Sequence, residues 1–127
     1  MEYKELIKLA IEASKNSYSP YSNFAVGACV LTSNGNVYKG CNFENSSFGL
    51  TICAERNAVG SAITAGEKEI KAIAIYSPNS QYCAPCGACR QVLYEFKSKE
   101  GLDVITTGDN GLEIIPLEDL LPRGFNL

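Results

Sequence analysis

The chain has 127 residues, with eleven Lys and Arg against fourteen Asp and Glu, six cysteines and no histidine. That length is one domain's worth, expected to run over residues 1–127, and 46% hydrophobic residues can fill a core without staples. A net charge of −3 with no basic run argues against a nucleic-acid partner, no apolar run approaches the roughly eighteen residues of a membrane span, and the missing histidine excludes Ser-His and Cys-His nucleophile pairs. The start, Met1-Glu2-Tyr3-Lys4-Glu5, lacks the basic-then-apolar layout of a secretion signal. A cytoplasmic location is therefore expected, with cysteines used for metal binding and packing rather than disulfides.

Residues 1–18 predict a helix with Leu6, Leu9, Ala10, Ala13 and Ser17 on one face. Ser19-Pro20-Tyr21-Ser22-Asn23 ends it in a turn. Phe24 to Leu31 and Val37 to Cys41 predict strands around Ser33-Asn34-Gly35-Asn36, where Asn-Gly is a hairpin signal because both residues tolerate positive φ. A second helix is predicted from Cys53 to Ala65, capped by Gly66. Ile70 to Ser77 is nearly continuous apolar sequence, as in a strand covered on both faces. A third helix follows Pro85 and carries Val92, Leu93 and Phe96 inward. Leu102 to Thr106 and Leu112 to Ile115 predict strands, and Pro116 to Leu121 a short helix. The order α-β-β-α-β-α-β-β-α predicts an α/β fold, a three-layer α-β-α sandwich with a mixed central sheet. Strand order stays open.

Two cysteine clusters carry the chemistry: Cys53-Ala54-Glu55, and Pro85-Cys86-Gly87-Ala88-Cys89. Cys86 and Cys89, three apart, lie on one face of a helical turn. With Cys53 they can hold one zinc and leave the fourth tetrahedral position to water, as catalytic rather than structural sites do. Glu55 then stands beside the metal as a free carboxylate. Each cluster sits where a strand or loop enters a helix, and that end stabilises thiolates. Pro85 suits the first turn, where its missing N–H costs nothing. Three thiolates give a net negative cluster, a weak Lewis acid. Arg56 can offset this: a unit charge about 4 Å away at an effective dielectric of about 20 is worth up to ~4 kcal/mol. Cys29 and Cys41 fall in strand runs and read as core packers. Cys83 leaves alternatives open. Cys83-Ala84-Pro85-Cys86 is itself a Cys-x-x-Cys, able to close a structural four-cysteine site or to act as a redox pair.

Cys53-Ala54-Glu55-Arg56, taken with Pro85-Cys86-Gly87-Ala88-Cys89-Arg90-Gln91, closely resembles the cytidine deaminase family in its short, three-cysteine form. The likeness extends to the segment from Tyr18 to Gly27 (Tyr-Ser-Pro-Tyr-Ser-Asn-Phe-Ala-Val-Gly), to Gly40-Cys41-Asn42-Phe43-Glu44-Asn45 and to Leu121-Pro122-Arg123-Gly124-Phe125, so it covers nearly the whole chain. The resemblance implies a homotetramer with one zinc per subunit. It implies hydrolytic deamination of cytidine and deoxycytidine to uridine and deoxyuridine with release of ammonia, a step of pyrimidine salvage. By the same likeness Cys53, Cys86 and Cys89 hold the metal. Glu55 is the catalytic residue, taking the water's proton, passing it to ring N3 and then separately protonating the departing amine. Phe24 stacks on the base, Asn42 and Glu44 bond the ribose, and backbone groups of Ala54 and Ala84 meet the base edge. Arg56 tunes the charge of the zinc cluster, and Phe125 reaches a neighbouring subunit's pocket. Phe48 departs from the tyrosine and Asn57 from the threonine common in the family, and Cys83 is not a family feature. Two rival readings remain at this point: a blasticidin-type deaminase in the same fold, and a non-catalytic structural-zinc module.

Overall fold

The structure, a computed structural model, describes residues 1–127. Helix α1, Tyr3–Ser14, buries Leu6, Ile7, Ala10, Ala13 and Ser14. Its seam is rotated from the one expected: Ile7 and Ser14 face the core, Leu9 is half-buried, and Ser17 lies beyond the helix. The pattern admits either apolar stripe, and the strand beneath decides. Strand β1, Gly27–Thr32, starts with a glycine whose Cβ would stand 2.0 Å from the Ala10 carbonyl oxygen and 2.4 Å from the Ser14 nitrogen. Only a bare backbone there lets α1 settle on that face. The helix also ends early, because Lys15, Asn16 and Ser17 each bond three residues back and tighten into turns.

β1 pairs antiparallel with β2, Val37–Cys41. Their connection is longer than a two-residue hairpin. Gly35 alone takes positive φ (+86°), and the loop closes through Gly35 N–H to Thr32 O and Thr32 N–H to Asn36 O. Phe24 to Val26, expected as strand, is irregular backbone. The remaining elements are α2 (Ala54–Thr64), β3 (Ile70–Tyr76), α3 (Gly87–Phe96), β4 (Asp103–Gly108), β5 (Gly111–Pro116) and α4 (Leu117–Leu120). One sheet runs in the order β2-β1-β3-β4-β5. β3 and β4 are parallel and all other neighbours antiparallel, so the sheet is mixed as expected.

Alternation along β1 and β3 makes both faces of the sheet apolar. Cys29, Leu31, Ala72 and Ala74 pack with Ile105 against Leu6, Ile7 and Ala10 of α1. Ala28, Val30, Ile73, Ile75 and Val104 pack against Ala54, Ala58, Val59 and Ala62 of α2, with Leu93 of α3 and Leu117 of α4. The result is the three-layer α-β-α sandwich. α2 lies so close on β2 that a Cβ at Gly40 would stand 2.4 Å from the Ala58 nitrogen and 2.6 Å from the Ala54 oxygen. Past the other end of α2, the Glu67 carboxylate accepts from Asn34 (2.8 Å), Asn36 (2.7 Å) and the Tyr38 hydroxyl (3.2 Å), pinning the hairpin to the helix.

Candidate metal centre and its cleft

Both cysteine clusters open a helix on the same face of the sheet. Cys53 is the N-cap of α2 and Cys86 the N-cap of α3, with Cys89 in that helix's first turn. Pro85 does not enter the helix. It is buried one residue before the cap, and its carbonyl accepts from Arg90 Nε at 2.8 Å. Arg90 also donates from Nη1 to the Leu120 carbonyl at 2.9 Å, so one guanidinium ties the entry of α3 to the end of α4.

The ligand atoms of Cys53, Cys86 and Cys89 all lie within 4.8 Å of one another. Sulfurs held at about 2.3 Å by one tetrahedral zinc stand about 3.8 Å apart, so the triad needs at most about 1 Å of adjustment. Of the three, Cys53 already has the acidity a thiolate ligand needs. A hydrogen bond from Cys89 lowers the Cys53 thiol to about 5 against the opposing effect of burial, and the Arg56 guanidinium adds to the lowering. Cys89, the donor in that bond, is pushed upward by it. Arg56 Nη2 approaches Cys53 Sγ at 3.3 Å, the contact expected of a residue that tempers the cluster's charge. Its Nε is buried without a partner. The donor set fits zinc.

Cys83 stands outside the triad. Burial first, and the nearby Glu55 carboxylate second, push its thiol up to about 11, and its sulfur is not gathered with the other three, which leaves three ligands rather than a closed set of four. Cys29 is fully buried in the core and Cys41 half-buried, as packing residues are.

A cleft of about 320 Å³ opens beside the sulfurs, lined on one side by Ser22, Phe24, Val26, Asn42 and Glu44. Thr51, Cys53, Ala54, Glu55, Cys83, Ala84 and Cys86 complete it. Phe24, Asn42, Glu44, Ala54, Glu55 and Ala84 therefore meet at one place, although four separate stretches of chain supply them. Glu55, on the first turn of α2, is 5% exposed. Burial raises its carboxyl to about 7, opposed by its own backbone N–H and reinforced by the Cys53 charge.

Asn42 is 8% exposed and mostly committed. Its Oδ1 accepts from Val26 N–H at 3.0 Å and from Ser17, and its Nδ2 donates to the Phe24 carbonyl at 2.8 Å. One N–H remains. Glu44 is held below the ordinary carboxylate range, first by the Ser22 hydroxyl, with the Tyr21 and Ser22 backbone N–H groups at 3.0 and 3.1 Å adding to it. Ser22, Val26 and Thr51 also line the cleft; Ser22 and Val26 lie inside the Tyr18–Gly27 stretch, whereas Thr51 falls outside the motifs. Phe125 is 68% exposed and not part of this lining; only its carbonyl is engaged, by Gln91 Nε2 at 3.0 Å. Phe48 is 73% exposed, edge-on to Tyr21 with ring centroids 5.9 Å apart, and Asn57 Nδ2 donates to the Cys41 carbonyl at 3.1 Å.

A family profile described as "Cytidine and deoxycytidylate deaminase zinc-binding region" matches residues 1–102. A curated cytidine deaminase of Halalkalibacterium halodurans is 40% identical over 125 residues, covering 98% of this chain and 95% of its own length. Among solved structures, the cytidine deaminase of Burkholderia pseudomallei superposes with a TM-score of 0.90 at 44% identity, covering 98% of this chain and 100% of that one. The cytidine deaminase of Mycobacterium tuberculosis gives 0.87 at 38% identity, over 100% of this chain and 99% of that one.

Proposed function

The chain belongs to the cytidine and deoxycytidylate deaminase family, and from that premise we propose that it hydrolyses cytidine and deoxycytidine to uridine and deoxyuridine, releasing ammonia. The observation that carries this reading is the placement of Glu55: a buried carboxylate sharing one cleft with Cys53 and Cys86 of the sulfur triad and an aromatic wall, Phe24. Cys53, Cys86 and Cys89 hold one zinc per subunit. When bound, zinc supplies the Lewis acidity that makes water nucleophilic at neutral pH.

The chain's own residues do the rest. Glu55 accepts a proton from the attacking water and hands it to N3 of the ring as C4 is attacked; it then takes the remaining hydroxyl proton at C4 and gives it to the departing amine, leaving the C4 carbonyl. Its burial keeps bulk water from competing for that proton. Phe24 stacks on the base, and the backbone of Ala54 and Ala84 meets the base edge. The last N–H of Asn42 and the Glu44 carboxylate serve the ribose hydroxyls. Arg56, at the Cys53 sulfur, withdraws charge from the cluster.

The cleft lining includes two carboxylates and neither Lys nor Arg. A substrate phosphate of charge about −2 would meet repulsion there, which favours the nucleoside over deoxycytidylate. Ordinary cytidine is favoured over blasticidin-type substrates by the Asn42-Phe43-Glu44 element together with Phe24. We further infer a single deaminase domain over 1–127, working in pyrimidine salvage. The six free cysteines suit a reducing compartment, the cytoplasm, and no helix is long and apolar enough to cross a membrane. Assembly as a homotetramer is supported by the apolar surface of Phe48, Leu50 and Phe125, with Phe125 entering a neighbour's cleft. The test is the ultraviolet band of cytidine incubated with the zinc-loaded chain. Loss of that band with one ammonia per nucleoside is expected; an unchanged spectrum with zinc bound would leave the structural-zinc module as the better reading.

A further inference from the structure

Residues Phe24 to Val26 form one wall of the cleft without belonging to any helix or strand. Their backbone groups need partners from elsewhere, and for five of the six the partner is within the protein. Phe24 N–H donates to Ser22 Oγ at 3.0 Å, and Phe24 O accepts from Asn42 Nδ2 at 2.8 Å. Val26 N–H donates to Asn42 Oδ1 at 3.0 Å, and Val26 O accepts from Asn42 N–H at 3.2 Å. Between them, Ala25 N–H donates to Asn79 Oδ1 at 3.0 Å. This is the one bond of the set whose partner lies on the loop between β3 and α3.

Asn79 sits in the loop that leaves β3 and runs directly into Cys83-Ala84-Pro85-Cys86, a second stretch of the same lining. The loop is itself well held. Asn79 N–H donates to Ser77 Oγ at 3.1 Å, Ser77 and Ser80 form an antiparallel bridge, and Tyr82 N–H donates to the Thr107 carbonyl at 3.0 Å. Asn79 therefore has a fixed base from which to grip the Phe24 segment. Fifty-four residues separate it from Ala25.

We propose that Asn79 is a positioning residue: its side-chain oxygen braces the Phe24 wall against the Ala84 wall and so sets the width of the slot that receives the base. This rests on the deaminase reading above and adds a residue to it. The contact uses only the acceptor, since Oδ1 alone makes it and Nδ2 is not needed. Asn79→Asp keeps an acceptor at that point, whereas Asn79→Ala removes it.

The experiment compares wild type, N79A and N79D as zinc-loaded full chains, in cytidine turnover and in amide exchange at Ala25 followed by NMR. Losing one such hydrogen bond is worth about 3- to 10-fold. N79A is expected to raise KM by about that factor, leave kcat within about twofold and zinc content unchanged, and speed Ala25 exchange by a comparable factor. N79D restores both KM and protection. Unchanged KM in N79A, unchanged Ala25 protection, or an N79D as impaired as N79A overturns the brace. A wild-type chain that leaves cytidine untouched overturns the functional reading instead, and Ala25 protection then decides the brace by itself.

Discussion

Gly40→Ala adds a single methyl group at the point where β2 carries α2. The new Cβ would stand 2.4 Å from the Ala58 nitrogen, 2.6 Å from the Ala54 oxygen and 2.9 Å from the Ala58 Cα. All three are backbone atoms of one helix, so no side chain can swing aside. Restoring ordinary contact requires α2 to move by about 1 Å, and overpacking of this kind costs about 1–3 kcal/mol, here toward the upper end. For a chain of 127 residues each kcal/mol is about 4 °C in Tm, so a fall of about 10 °C is expected. The same shift displaces Cys53 and Glu55 at the start of α2 relative to Cys86 and Cys89 on α3, and a 1 Å misplacement costs up to about 100-fold in rate. Gly60→Ala is the internal control. It lies in the same helix with nothing within 4 Å of its Cβ position. There alanine is expected to gain about 0.5–1 kcal/mol from helix propensity. Thermal melts by circular dichroism at fixed protein and zinc concentration read both. A G40A protein melting within about 2 °C of wild type, with normal turnover, would refute the account of how β2 positions the site.

Glu55→Gln should bind zinc and fold normally yet lose about 10²–10⁴ in kcat, the span of general acid–base catalysis. The other lining carboxylate, Glu44, is held by Ser22 and Tyr21 and offers no substitute; steady-state kinetics at saturating cytidine decide it. Cys86→Ala should lose the metal, read by zinc analysis after dialysis, and full occupancy would remove Cys86 from the ligand set. Glu67 bears on acid stability. Hydrogen bonds from Asn36 first and Asn34 second hold its folded pKa below the usual 4.5, so its contribution is present above that pH and lost as pH falls through the folded value. The Tm gap between wild type and Glu67→Gln should therefore be widest near neutrality and close below about pH 4.5; a constant gap would mean the charge is immaterial.

The parts of this molecule written in local pattern were the parts open to reading. Val37 to Cys41 begins and ends where the alternation and the Gly35 turn put it, and the spacing of Cys86 and Cys89 already implied a shared helical face. Failures came where distant backbone decides. Leu9 and Ile7 satisfy the α1 stripe equally well, and only the close approach at Gly27 chooses between them. Phe24 to Val26 has strand-like composition, but its hydrogen bonds go to Asn42 and Asn79, which no local pattern announces. Cys83 matches a ligand spacing with Cys86, yet its sulfur is not gathered with the triad, a matter of loop path rather than of residue type.

The three sulfurs arrive from two helices whose starts lie 33 residues apart in sequence, with the central strand β3 between them in the chain. An ion gripped there works as a rivet through the whole domain, because no fragment carrying one helix alone could hold it. Once free zinc exceeds its dissociation constant, each further tenfold should add about 1.4 kcal/mol to the resistance to unfolding, so a chelator would soften the protein globally rather than merely silence it.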